Sequence, residues 1–180
     1  TMENKEEEIE LKSVVTFIEK NWRILLILLI LVFAFYLKVY HVDYPVVGYH
    51  NWKEVHYLSE ARNFADDGFF ANGFFVPSSD YPGIYEDPSG MHPDTFPIIS
   101  IIVGLLFNIF GASLVVARSV GILFSLGTVL MMYLFVKKLF KNDLMAYTAM
   151  FLTALSPLFV FFSHNVQLMN VGLFFMLTSL

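Results

Sequence analysis

Long apolar runs alternate with polar stretches along this chain, and the runs are continuous rather than spaced at helix or strand intervals. Three of them approach the roughly 20 helical residues needed to cross a hydrocarbon core about 30 Å thick: residues 22–42, 113–136 and 143–162. The first is flanked by Lys20 and Arg23 on one side and by Tyr36, Lys38, Tyr40 and Tyr44 on the other, the placing of snorkelling cations and aromatic anchors. Lys38-Val39-Tyr40-His41 follows it in place of a small-residue cleavage site, so the run predicts an anchor and not a cleaved signal. Residues 1–21, with Glu6, Glu7, Glu8 and Glu10, predict a solvated, frayed cytoplasmic tail. The last run, 166–180, is still apolar at Leu180; it predicts an outer turn at 163–170 and the start of a fourth span at 171–180. A helix cut inside a hydrophobic run strands its last carbonyls, so the expectation is the N-terminal part of a longer chain.

The run 97–110, bounded by Pro97 and Gly111, has the length of an interfacial or re-entrant helix. Charge decides its placing. If it does not cross, Lys5, Lys12, Lys20, Arg23, Lys137, Lys138 and Lys141 share one side and only Lys53 and Arg62 lie on the other; if it crosses, the three late lysines change sides. The first arrangement obeys the positive-inside rule. The prediction is therefore a cytoplasmic N-terminus in a multi-pass cell-membrane protein, an outer loop over 43–112 carrying helices at 52–67 and 97–110, and a cytoplasmic basic turn at 137–142.

Composition agrees with the pattern. Hydrophobic residues make up 57% of the 180 and charged ones 15%, and the mean hydropathy is +0.63, which excludes disordered, collagen-like and nucleic-acid-binding classes. Zero cysteines exclude disulfides, thiolate metal sites and thiol nucleophiles. The net charge of -5 becomes informative when divided: nine of the sixteen carboxylates lie between Asp43 and Thr95, together with His50, His56 and His92. A loop of this length with its own structure signals is where function concentrates.

Within it, Asn51-Trp52-Lys53-Glu54 has the capping-box pattern and Gly68 supplies a stop. Tyr57, Leu58, Ala61, Phe64 and Ala65 form one stripe, with His56, Glu60, Asn63 and Asp67 on the opposite, wet side, so 52–67 reads as an amphipathic surface helix. Glu54 falls in the middle of the apolar stripe. It has two readings: it closes the capping box on Asn51, or it is a carboxylate kept at the membrane boundary for catalysis or metal binding. His50 precedes the helix on the same side and either supports Glu54 or serves as a loop histidine. Residues 68–95 are rich in turn signals, among them Asp80-Tyr81-Pro82-Gly83 and Asp87-Pro88-Ser89-Gly90. His92 and Asp94 either reach a metal or substrate or give turn polarity. Arg118, about one turn into the second long run, is a snorkelling anchor or the partner of an anion. Gly121 and Ser125 have the small-xxx-small spacing of close helix contact. No zinc, P-loop or dinucleotide motif occurs.

The order of these features resembles the polytopic GT-C glycosyltransferases that take sugars from polyprenyl-phosphate carriers, the superfamily of the protein O-mannosyltransferases and aminoarabinose transferases. Glu54-Val55-His56-Tyr57 with Glu60-Ala61-Arg62-Asn63-Phe64 looks like the family's outer-loop helix, and residues 92–97 look like its Pro-led entry to a juxtamembrane helix. Ala117-Arg118-Ser119, Lys137-Lys138-Leu139-Phe140, Ala154-Leu155-Ser156-Pro157 and Ser163-His164 look like its following spans and their ends. Two departures stand out: the first acid of the family's Asp-Glu pair falls on Lys53, and a later acid is replaced near Met169 and Asn170. His50-Asn51-Trp52-Lys53-Glu54 is closer to a sub-branch with a His-x-Trp-Arg-Gln type motif.

The resemblance implies an all-α polytopic membrane protein, a GT-C-like N-terminal module with amphipathic juxtamembrane helices in its first outer loop. It implies sugar transfer from a lipid-linked donor to an acceptor on the outer face, with membrane lipid and the rest of its own longer chain as partners and no nucleic acid. Such a reaction needs a base for the acceptor hydroxyl and a positive group or divalent metal ion for the departing phosphate. The residues expected to supply them are Glu54 as base, helped by His50 or His56; Arg118, Lys53 and Arg62 for substrate or phosphate; and Glu54, His92 and Asp94 as candidate metal ligands. The rival expectation is a non-catalytic membrane module that binds carrier lipid or assembles a glycan-processing complex, favoured by Lys53 in place of the acid.

Overall fold

The computed structural model describes residues 2–48, 51–69 and 96–180. Among the described residues every regular element is an α-helix: α1 (Met2–Val39), α2 (Asn51–Asp67), α3 (Ile98–Phe110), α4 (Leu114–Phe140), α5 (Asp143–Leu155), α6 (Pro157–Ser163) and α7 (Leu168–Thr178). Two stretches among the described residues, Val15–Val39 within α1 and Leu114–Phe140, are long and apolar enough to cross a membrane. α5 and α6 together make a third candidate, bent by 59°. The bend falls at Ser156-Pro157, where proline has no N–H to continue the helix and opens α6 at its first turn. The protein is thus an all-α polytopic membrane protein.

The N-terminal segment departs from expectation. Residues 2–19 continue α1 as helix instead of fraying; they are rich in Glu, a good helix former, and the chain has no Gly or Pro before Pro45.

The helix ends show how the chain reverses. Ser113 caps α4 by accepting from the Val116 N–H at 3.2 Å, and α4 stops at Lys141, whose left-handed φ of 52° ends the helix. Asn142 then caps α5 by accepting from the Met145 N–H. As a result α4 runs antiparallel to α1 and to the α5–α6 pair, and α7 runs back alongside α4. Cross-contacts fix this order: Arg23 and Lys137 both reach Asp143, at 3.3 and 3.1 Å, while at the opposite end His164 meets the backbone of Lys38.

Two apolar clusters fill the bundle. One joins α1, α4, α5 and α6 through Ile30, Ala34, Val129, Tyr133, Met150 and Phe159. The other joins α2, α3, α4 and α7 through Ala61, Ile99, Val103, Ala117, Val166 and Val171. Small residues let the helices approach. A Cβ on Gly104 would lie 2.9 Å from the Ala61 carbonyl oxygen, and one on Gly121 would lie 2.9 Å from the Ser163 carbonyl oxygen. Gly104 therefore seats α2 on α3, and Gly121 seats the turn after α6 on α4.

Lys38 corrects a second expectation. It does not snorkel: its side chain is wholly buried, and its Nζ sits 4.2 Å from the centre of the Phe159 ring. The cause is α6, which covers the end of α1 with an aromatic face and gives the ammonium a cation–π contact in place of water. Tyr36 and Tyr40 remain exposed.

Candidate functional site

The end of the bundle at which α1 and α6 finish and α4 begins carries a buried ion pair. Past Val39 the chain turns through His41, at a φ of 58°, and through the Val42 N–H to Val39 O and Tyr44 N–H to His41 O bonds. That turn aims two carbonyls at α4. Arg118 donates from Nη1 to Val42 O at 2.8 Å and to Tyr44 O at 2.6 Å. Its Nε and Nη2 donate to the two carboxylate oxygens of Glu54, at 2.8 and 3.0 Å. Glu54 Oε1 also accepts from the Val166 N–H at 3.3 Å. Both side chains are almost fully buried, 2% exposed for Glu54 and 4% for Arg118.

Arg118 does not snorkel, and Glu54 is more than a capping side chain. Together they make a bidentate pair, the strongest form of carboxylate–arginine contact, tying α2 to α4, to the turn after α1 and to the turn before α7. A guanidinium buried in this way needs partners for its N–H groups, and these bonds engage four of its five.

Beside the pair lies a cavity of about 290 Å³ lined by His41, Tyr44, Pro45, Val47, Glu54, Arg118, Phe161, His164 and Asn165. His164 follows α6 directly and is half-buried. Its Nδ1 is 2.7 Å from the carbonyl oxygen of Lys38; a carbonyl can only accept, so Nδ1 carries the proton. Burial pushes the ring below its ordinary value of 6.5; the bond to Lys38 and the charge of Glu54 oppose this, and the charges of Arg118 and Lys38 reinforce it. The imidazole is held neutral with Nε2 unprotonated. A second, larger groove of about 550 Å³ between α1 and α5 is lined by Leu26, Leu29, Ile30, Phe33, Tyr147, Thr148 and Phe151, a surface without acid, base or cation.

The other expected site residues are dispersed. His56 does not line the cavity; its Nε2 lies 3.1 Å from Glu60. Lys53 is exposed, with its Nζ 5.4 Å from the Trp52 ring centre. Arg62 is exposed and faces Asp66 at 3.7 Å one turn on. His50, His92 and Asp94 lie outside the described residues. Among the described residues no group of three or more His, Cys, Asp or Glu could hold a metal ion.

Glu60 reverses its expected placing. It is 5% exposed rather than wet and accepts from the Ser100 hydroxyl at 2.6 Å. The physical reason is α3, which packs on the apolar stripe of α2 through Ala61 and Phe64 and extends past its edge to Glu60, where it presents Ser100 as a polar seat. Sequence reasoning does not place His41, Tyr44 or Asn165 in a site: Tyr44 enters it only as an aromatic anchor, and His41 and His164 only as parts of short segments. The available signal was position: polar groups immediately past the end of an apolar helix face the mouth of the bundle.

No curated protein and no solved structure matches this chain. A family model described as dolichyl-phosphate-mannose-protein mannosyltransferase matches residues 91–180, which is half of the 180. The matched half holds α3 to α7, and with them Arg118 and His164. On that match, the chain belongs to the dolichyl-phosphate-mannose-protein mannosyltransferase family, a membrane glycosyltransferase family of GT-C type.

Proposed function

We propose that the full-length protein transfers a sugar of the mannose type from a polyprenyl-phosphate donor to a hydroxyl acceptor, and that the cavity beside Glu54 and Arg118 is where the reacting groups meet. The observation that carries this reading is the combination, at one end of a bundle of membrane helices, of an open cavity edged by His41, His164 and Asn165 with a buried Glu54–Arg118 pair. Buried charge next to lipid is costly and is retained where it organises a site. The cavity is small enough for a sugar, and the apolar helices around it suit a donor whose chain stays in lipid.

In this reading Glu54 fixes Arg118, and Arg118 gives the cavity its positive edge toward the donor phosphate. Lys53 and Arg62, both exposed, serve at most the approach of an anionic headgroup. In this reading the N-terminus lies in the cytoplasm and the cavity on the outer face of a cell membrane, with residues 22–42, 113–136 and 143–162 as spans and a resemblance to the His-x-Trp-Arg-Gln type sub-branch; the lysine and arginine distribution supports this orientation. His50, His92 and Asp94 are the residues through which a divalent ion could join Glu54.

The test is transfer of mannose from dolichyl-phosphate-mannose to a serine- and threonine-containing peptide by the purified full-length protein in vesicles. Product formation that is lost in Arg118→Ala supports the reading. Binding of the donor without any transfer supports the rival, a carrier-lipid binding or assembly module, which one observation favours: Lys53 stands where the family's first acid falls.

A further inference from the structure

Among the described residues Glu54 is the one carboxylate that lines the cavity, and both of its oxygens are given to Arg118. A transfer to a hydroxyl still needs somewhere for the hydroxyl proton to go. His164 has what Glu54 lacks: Nδ1 is committed to Lys38 O at 2.7 Å, and Nε2, across the ring, makes no hydrogen bond among the described residues while the ring lines the cavity. The position of the ring is well determined. The turn 163–165 is pressed on Gly121, where an added Cβ would meet Ser163 O at 2.9 Å and Asn165 O at 3.1 Å, and Asn170 Nδ2 holds Phe162 O at 2.9 Å.

Resting on the proposed sugar transfer, we propose that His164 is a catalytic residue, its Nε2 taking the proton of the acceptor hydroxyl. As the O–H bond gives its proton to Nε2, the hydroxyl oxygen bonds to the anomeric carbon; the bond from that carbon to the phosphate oxygen breaks, and the electron pair leaves with the polyprenyl phosphate. The imidazolium then returns its proton to water. Lys38 O, the acceptor for Nδ1–H, fixes the tautomer and stabilises the charged ring, the part a carboxylate or carbonyl plays behind other catalytic histidines. The groups that face the ring set its range: Lys38 from α1, Arg118 from α4, Glu54 from α2 and His41 from the turn after α1. Burial and the two fixed cations keep it neutral at pH 7, so activity falls on the acid side, with its half-point below 6.5.

The experiment uses the full-length protein in vesicles with dolichyl-phosphate-mannose and an acceptor peptide as probes, comparing wild type, His164→Ala and His164→Gln, with and without added imidazole. General base catalysis contributes about 10²–10⁴-fold, so both variants should lose kcat by that order while the KM for the donor changes little. Imidazole should restore part of the rate in His164→Ala, and the acid limb of the wild-type pH profile should disappear from the residual rate of both variants. His164→Gln, which keeps a donor for Lys38 O, guards against misfolding, checked by a thermal melt. Variants that keep kcat within a few-fold, or that lose it with no imidazole rescue and an unchanged acid limb, would overturn the assignment of His164 and leave the transfer reading standing. A wild type that transfers no sugar overturns both.

Discussion

Glu54 and Glu60 lie on the same helix, α2, and both are almost fully buried, but they are held in opposite ways. Glu54 faces a permanent cation that grips both of its oxygens, and it also takes a backbone N–H. Glu60 faces a neutral hydroxyl on Ser100 and the imidazole of His56. The first arrangement joins four parts of the chain and borders the cavity; the second joins α2 to α3 alone. Burial by itself therefore does not separate the two acids. What distinguishes them is the number of elements each ties together and whether a cavity opens beside it.

The largest expected effect follows from breaking the stronger of the two. Arg118→Ala or Glu54→Gln leaves one buried group without its partner, which costs about 3–5 kcal/mol; a thermal melt of the detergent-solubilised protein should show it, together with loss of transfer. Next come the two glycine seats. Gly121→Ala and Gly104→Ala both force backbone apart and should each destabilise by about 1–3 kcal/mol. They should differ in activity. Gly121 supports the turn that carries His164, so its variant should lose kcat at temperatures where the protein is still folded, whereas Gly104→Ala should lose stability with kcat nearly unchanged. Equal kcat losses in the two would erase the distinction between the regions.

Ser100→Ala removes one hydrogen bond from Glu60 and leaves His56 in place. Interhelical hydrogen bonds in membrane proteins average about 0.6 kcal/mol and reach about 1.7, so the loss should fall in that range and leave transfer intact. Smallest of all is Arg62→Ala: an exposed i,i+4 pair at 3.7 Å is worth at most about 0.5 kcal/mol, and a melt shift beyond that, or a tenfold change in donor KM, would show that this face of α2 takes part in binding.

The same comparison explains what could be read from the sequence. Helical stretches were legible because continuous apolar runs leave the backbone no other partner in lipid. Glu54 and Arg118 each stood out, since an ionisable group in an apolar stripe is conspicuous. Their pairing was not legible, because 64 positions separate them and nothing local records which helix faces which. Glu60 is not legible for a related reason: a helical wheel assigns it to the wet side, and it cannot anticipate that α3, seated on the apolar stripe, reaches past its edge with a serine. Lys38 reads as an anchor in the sequence because the ring that covers it, Phe159, comes from a distant helix that Pro157 bends across it. His164 was hidden in plain sight, a lone histidine whose meaning depends on a carbonyl 126 positions earlier in the chain.

The central claim is that Glu54 and Arg118 act as one unit that holds the cavity open. A double-mutant cycle on the full-length protein measures this directly, with Glu54→Gln, Arg118→Gln and the double variant compared by melting and by transfer rate. Coupled side chains in one buried pair interact by about 0.5–3 kcal/mol, so the double variant should lose less stability than the sum of the two single losses by about that amount, with activity equally low in all three. Fully additive losses in stability, or a Glu54→Gln protein that melts and transfers sugar like the wild type, would contradict it.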